Sequence, residues 1–171
     1  MRLNRSNSLG LLAAVMIIAV DQWTKYVASA ELSYGLPVEI LPVFDLTLQH
    51  NTGAAFSFLA DAGGWQRWFF TIVSAVVSLV LVVWLVRLRS SQTLMIASLS
   101  CILGGAIGNL WDRIVLGYVV DFISIHYQTW YFPTFNVADM AISIGAGLMI
   151  LDIVFNPEHH KNDTGSGDKA A

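Results

Sequence analysis

The chain has 171 residues, of which 56% are hydrophobic and 12% charged, with a net charge of −3 and a mean hydropathy of +0.62. The length suits one domain, and the composition indicates an integral membrane protein. The charges fall in terminal and loop segments and form no basic or acidic face, so nucleic-acid binding has no support.

Arg2 and Arg5 precede an apolar run from Leu9 to Val20 that continues through Asp21, Trp23, Lys25 and Tyr26. The spacing predicts a first membrane span over about 9–29. At about 1.5 Å per residue, a helix starting at Leu9 reaches Asp21 after roughly 18 Å, past the middle of a hydrocarbon layer about 30 Å thick, so Asp21 and Lys25 lie near the far interface. The triplet Ala28-Ser29-Ala30 resembles a signal-peptide cleavage site, but Asp21 to Tyr26 make an overlong polar region before it, and a retained helix is the better reading. Residues 31–64 hold Pro37, Pro42 and Gly63-Gly64 and contain no spanning run. The alternation from Phe44 to His50 has the period of a half-buried strand, and Asn51-Thr52-Gly53 supplies a turn before Ala54-Ala55-Phe56. A small β-structure on the membrane is therefore expected over about 31–64.

A second span is expected over 67–87 and a third over 94–114. Gly104, Gly105 and Gly108 in the third permit close helix contact, and Asn109, Asp112 and Arg113 share one face of its end. Tyr118 to Ile125 reads as a short strand or extended loop. His126 to Phe132 is aromatic and suits the lipid headgroup region. A fourth span is expected over 136–155. Residues 1–157 then make a single membrane domain, followed by a polar, disordered tail over 158–171. Arg2, Arg5, Arg87, Arg89, Lys161 and Lys169 fall on one side of this four-span layout, and Lys25, Arg67 and Arg113 near the other. The excess puts both termini in the cytoplasm. Asp21, Lys25, Asn51, Asn109, Asp112, Arg113, Asp121, Asn136 and Asp139 consequently gather at the outer face, with Asp152 about four turns below Asp139 at the inner edge.

Carboxylates at the edge of a membrane segment need a partner, water or a proton, and are functional candidates for that reason. Two held within a few ångströms share a proton, one remaining a base and the other an acid. That state suits peptide hydrolysis: the base activates a water for attack on a carbonyl, and the acid protonates the carbonyl oxygen and later the leaving nitrogen. Structural roles compete for the same residues. Asn136 and Asp139 have the spacing of a helix cap, and Asp121 fits a solvated strand end. Asp21 and Lys25 make an i, i+4 ion pair, the role preferred for them. Arg113 is free to pair with Asp21 or to brace Asp121, and Asn109 and Asn136 read as hydrogen-bonding braces. The lone Cys101 in an apolar run allows no internal disulfide or cysteine cluster, and His50, His126, His159 and His160 lack ligand spacing, so neither metal nor cofactor is expected.

Five motifs in order resemble the lipoprotein signal peptidase family, also called signal peptidase II. They are Asp21-Gln22-Trp23-Thr24-Lys25, Asn51-Thr52-Gly53-Ala54-Ala55-Phe56, Gly108-Asn109-Leu110-Trp111-Asp112-Arg113, Val119-Val120-Asp121-Phe122 and Phe135-Asn136-Val137-Ala138-Asp139. The resemblance implies a monomeric aspartic endopeptidase of the bacterial inner membrane. It would cut the signal peptide from a prolipoprotein immediately before a diacylglyceryl-modified cysteine. It implies Asp121 and Asp139 as the catalytic pair, and Asp21, Lys25, Asn51, Gly53, Asn109, Arg113, Asn136 and Ala138 as substrate-binding or supporting residues. It also implies a four-helix membrane bundle with an outer β-structure at 31–64 and an interfacial helix at about 126–132. The alternative from another class is a small proton- or ion-coupled transporter, and a structural membrane subunit is a third. Against transport, the inner half of the bundle offers only Asp152, whereas a transport path needs ionisable groups at both depths.

Overall fold

The computed structural model describes residues 3–53 and 65–157. The expected turn continuation at 54–56, the rest of the outer segment to 64 and the tail 158–171 lie outside the described residues. Four helices, α1 (Arg5–Glu31), α2 (Trp65–Arg87), α3 (Thr93–Val115) and α4 (Val137–Phe155), are each long and apolar enough to cross a membrane. Helix α1 starts four residues earlier than the apolar run suggests, because the Asn4 side chain caps it by accepting from the Asn7 amide. Asn7 is itself buried, and its Nδ2 donates to the carbonyls of Val86 (3.2 Å) and Leu88 (3.1 Å). Asn4 Nδ2 also donates to the Leu88 carbonyl, at 3.2 Å, so the start of α1 satisfies carbonyls at the end of α2 that are costly to leave bare in lipid.

Helix α3 is the most buried of the four and touches each of the others. Its small residues are the cause. A Cβ on Gly105 would overlap the Ala138 carbonyl of α4, and one on Gly108 would crowd the Asp21 carboxylate of α1. Since lipid is as apolar as leucine, such close packing and buried hydrogen bonds hold the bundle, as between Ser98 Oγ and the Gly145 carbonyl at 2.8 Å. One end of the bundle is an apolar core of Ala14, Leu81, Leu85, Leu88, Met95, Ile96, Leu99 and Leu103. The other end is polar. There α3 ends at Val115, the amide of Gly117 (φ of 89°) turns back to the Asp112 carbonyl, and Arg67 of α2 donates to the carbonyls of Arg113 and Ile114, both at 3.0 Å.

Above the polar end lies a four-stranded antiparallel sheet in the order β1 (Val38–Leu41), β2 (Phe44–Asn51), β3 (Val119–Tyr127), β4 (Trp130–Tyr131). The alternation seen in 44–50 becomes β2, and its partner is the run after Gly117, about seventy residues away in the chain. A bulge between Leu46 and Gln49 shifts the register from Asp45↔Ser124 to Gln49↔Asp121. Asp121 and Ser124 are three residues apart and so point to opposite faces. The bulge therefore transfers the odd-numbered residues of β2, Asn51 among them, to the Asp121 face.

The segment 126–132, expected as an interfacial helix, is instead the end of β3, a two-residue turn and β4, with His126 paired to Tyr131 and Tyr127 to Trp130. Gln128 takes φ of 55° at that turn. The aromatic residues alternate across a hairpin and carry no helical stripe, and His126 stacks on Tyr131 at 4.8 Å.

Candidate active site

Asp121 sits on β3 and is 2% exposed. Asp139 sits in the first turn of α4. Asn136 joins them. Its Oδ1 accepts from the Asp139 amide at 2.9 Å, the N-cap bond, while its Nδ2 donates to Asp121 Oδ1 at 2.7 Å. Asp139 Oδ2 reciprocates by accepting from the Asn136 amide at 3.3 Å, which completes a capping box. The capping role and the shared location with Asp121 thus coexist in one residue. The second oxygen of each carboxylate is also bonded: Asn51 Nδ2 donates to Asp121 Oδ2 at 3.1 Å, and Asn109 Nδ2 to Asp139 Oδ1 at 2.8 Å.

Burial, and then the neighbouring charge of Asp139, push the Asp121 carboxyl up to about 7, against the opposing hydrogen bonds from Asn51 and Asn136 and the charge of Lys25. At neutral pH Asp121 is thus poised between its acid and carboxylate forms.

Two cavities meet at this pair. One, of about 480 Å³, is lined by β2 and β3 residues including Thr47, Gln49, His50 and Asp121. The other, of about 630 Å³, runs along α4 past Asp139, Met140, Ile142 and Ile144. Asn51, Phe132, Pro133 and Thr134 line both. In the first cavity His50 stacks on Tyr118 with ring centres 4.0 Å apart, and burial lowers its pKa.

Of the other residues singled out in the sequence, Asp21 and Lys25 form the expected ion pair, 2.9 Å apart. Asp21 also accepts from the amide of Ala138 at 2.8 Å, and Ala138 itself is fully buried. Arg113 pairs with neither Asp21 nor Asp121 by any hydrogen bond. It donates to the carbonyls of Gly53 (3.1 Å) and Asn109 (3.4 Å), because Asp21 is already taken by Lys25. Arg113 thereby ties the Asn51-Thr52-Gly53 turn to α3, and Asn51 Oδ1 closes that turn on the Gly53 amide at 3.0 Å. Two residues that the sequence placed at this end without a role in the site join it. Asp112 pairs with Lys25 at 2.9 Å, and Gln22 Nε2 donates to Asp112 at 2.9 Å. The signal for Asp112 was present, since it follows Asn109 by three residues on one helical face. Among the described residues no group of three or more His, Cys, Asp or Glu is arranged to hold a metal ion.

Fold and site together define a four-span membrane protein with a buried, amide-bridged carboxylate pair between two cavities at one end of the bundle. The family described as Signal peptidase (SPase) II matches residues 13–155. The lipoprotein signal peptidase of Acinetobacter baumannii is 52% identical over 149 residues, covering 87% of this chain and 85% of the relative. That of Ectopseudomonas mendocina is 56% identical over 145 residues, covering 84% and 86%. A solved structure described as a bacterial membrane enzyme superposes with a TM-score of 0.79 at 29% identity, covering 100% of this chain and 98% of the other. A second such structure gives 0.74 at 31% identity, covering 87% and 94%. The chain belongs to the signal peptidase II family and is a multi-pass membrane peptidase.

Proposed function

We propose that the chain is an aspartic endopeptidase of the bacterial inner membrane. It would remove signal peptides from prolipoproteins by cutting before a cysteine that carries diacylglycerol, with Asp121 and Asp139 as the catalytic pair. The observation that carries this reading is the Asn136 side chain, which bonds to both residues and holds them where two cavities join. The pair shares one proton near neutral pH, and Asp121, pushed up to about 7 by burial and by the neighbouring carboxylate, is placed to carry it. Asp139 takes a proton from water as the oxygen attacks the scissile carbonyl, and Asp121 gives its proton to the carbonyl oxygen. Collapse of the tetrahedral intermediate breaks the C–N bond: the proton gained by Asp139 passes to the leaving nitrogen, and a hydroxyl of the intermediate returns its proton to Asp121 as the carboxyl product forms, which restores the pair.

The apolar cavity beside Met140, Ile142 and Ile144 suits acyl chains that stay in hydrocarbon, and the cavity under the sheet suits the polypeptide. Each methylene kept out of water contributes about 0.8 kcal/mol, so the lipid can supply much of the substrate's positioning. The basic residues argue for cytoplasmic termini and an active site at the outer face.

The test is to incubate the purified chain with a lipidated and an unlipidated precursor, alongside Asp121→Asn, Asp139→Asn and the double variant. Only the lipidated precursor should be cut. Each single variant should fold and lose roughly 10³-fold or more in turnover, with the double scarcely worse. Near-parent cleavage by either single variant would overturn the assignment.

A further inference from the structure

Behind the carboxylate pair lies a second set of buried charges on α1 and α3. Lys25 is 3% exposed and uses its three ammonium protons in three directions: Asp21 Oδ2, Asp112 Oδ2 and Asn109 Oδ1, each at 2.9 Å. The two carboxylates then reach forward. Asp21 Oδ1 accepts the amide of Ala138 at 2.8 Å, and Asp112 Oδ2 accepts the amide of Val120 at 3.2 Å. Ala138 immediately precedes Asp139, and Val120 immediately precedes Asp121. The amide before each member of the pair is therefore held by a carboxylate, and a single ammonium holds both carboxylates. The third proton fixes the Asn109 amide so that its Nδ2 faces Asp139 Oδ1 at 2.8 Å.

We propose that Asp21, Lys25 and Asp112 form a strut that sets the separation and orientation of Asp121 and Asp139. Lys25 and Asp112 are its positioning residues. The proposal rests on the catalytic reading of that pair. Helix stability alone would be served by Asp21 and Lys25, whose charges cancel on neighbouring turns of α1. Asp112 adds a second buried carboxylate that the Asp21–Lys25 pair does not need, and its Oδ2 is spent on Lys25 and on the amide before Asp121. That end is mechanical: β3 and the entry to α4 are joined in front through Phe135 and Asn136, and the strut ties the residue before each aspartate, from behind, to α1 and α3. Reacting groups lose about a hundredfold in rate when displaced by roughly an ångström, so a brace of this kind acts on turnover more than on binding.

The deciding variant is Asp112→Ala in the full chain, assayed on a lipidated precursor. It leaves Asp21 and Lys25 as a balanced pair, so a stability-only role predicts a folded protein with parent turnover. The strut predicts a kcat lower by about a hundredfold with KM within about twofold. Asp112→Asn keeps an acceptor for the Val120 amide and should recover much of the loss. Lys25→Met supplies a separate readout. Without the ammonium, which favours the ionised form of Asp121, the pH–rate profile should move to higher pH. Parent kcat in Asp112→Ala, with Asp121→Asn inactive, would overturn the strut and leave the catalytic pair standing. An active Asp121→Asn would instead overturn the catalytic reading beneath it.

Discussion

Replacing Asn136 by serine separates the two tasks of that side chain. A serine at the N-cap can still accept the Asp139 amide, since Ser and Asn cap helices about equally well, but it has no amide to offer Asp121. Serine loses the 2.7 Å contact to Asp121 Oδ1 and the longer ones to the Val120 carbonyl and Asn109 Oδ1, and of these the first bears on the Asp121 proton. A hydrogen bond to a charged group contributes about 1.5–3 kcal/mol, and we take the lower end because water can enter the vacated space. The bond favours the carboxylate form, so its loss lets Asp121 keep its proton longer. At 1.36 kcal/mol per tenfold, 1.5 kcal/mol corresponds to about one pH unit. The mechanism needs one protonated member, so the parent loses rate as pH rises through about 7, where Asp121 ionises. In Asn136→Ser this alkaline limb should move to about pH 8, with the maximal rate reduced by loss of positioning. The assay is initial cleavage of lipidated precursor in detergent between about pH 5 and 9, with thermal unfolding run in parallel. Asn136→Ala should show the same limb and be less stable by a further ~1 kcal/mol, because it also loses the cap. A folded Asn136→Ser whose alkaline limb stays in place or moves to lower pH would refute the reasoning.

Asp121 also links stability to pH. Its folded pKa of about 7 lies above the ordinary 3.8, so between those values the unfolded chain releases a proton that the folded chain retains. Stability should therefore fall by a few kcal/mol as pH rises from about 4 to 7, and thermal midpoints of Asp121→Asn should show a smaller fall. Asp152 lies about 20 Å along α4 from Asp139 and accepts from Asn156 Nδ2 at 2.9 Å, so Asp152→Asn should keep turnover within about twofold in the same assay. Single cysteines at Ser90, in the loop between α2 and α3, and at Glu39 on β1 are both exposed and should label from opposite sides of the membrane. An impermeant reagent reaching both from outside would contradict the proposed orientation.

The helices were legible because twenty apolar residues have few other fates, and Asp21 with Lys25 was legible because i, i+4 neighbours on a helix have little freedom. The sheet was legible only by halves. The alternation of 44–50 announces a strand, but nothing local says that its partner begins at Val119, or that the Leu46–Gln49 bulge turns Asn51 toward Asp121. The 126–132 hairpin was misread because aromatic residues suit an interface in either secondary structure, and two paired residues on each side of a turn leave too short a period to read. Arg113 was open between two carboxylates because sequence does not rank partners across helices. Lys25 decided the matter by reaching three acceptors from α1. Asp112 was placed at this end of the bundle but given no partner, because its contact with Lys25 crosses from α3 to α1 and sequence spacing does not show such contacts.

The capping box at the start of α4 gives the site a built-in reporter. Asp139 Oδ2 can hold the Asn136 amide and accept one further hydrogen bond, but a proton placed on that oxygen, or an inhibitor that draws the carboxylate away from the amide, loosens the first turn of the helix. The exchange rate of one backbone proton, that of Asn136, would then register occupancy of the site without any turnover being measured. A compound that blocks the cavities by filling them with lipid-like bulk would leave that proton protected. One that competes for the carboxylate would expose it, which gives a way of sorting inhibitors by what they displace.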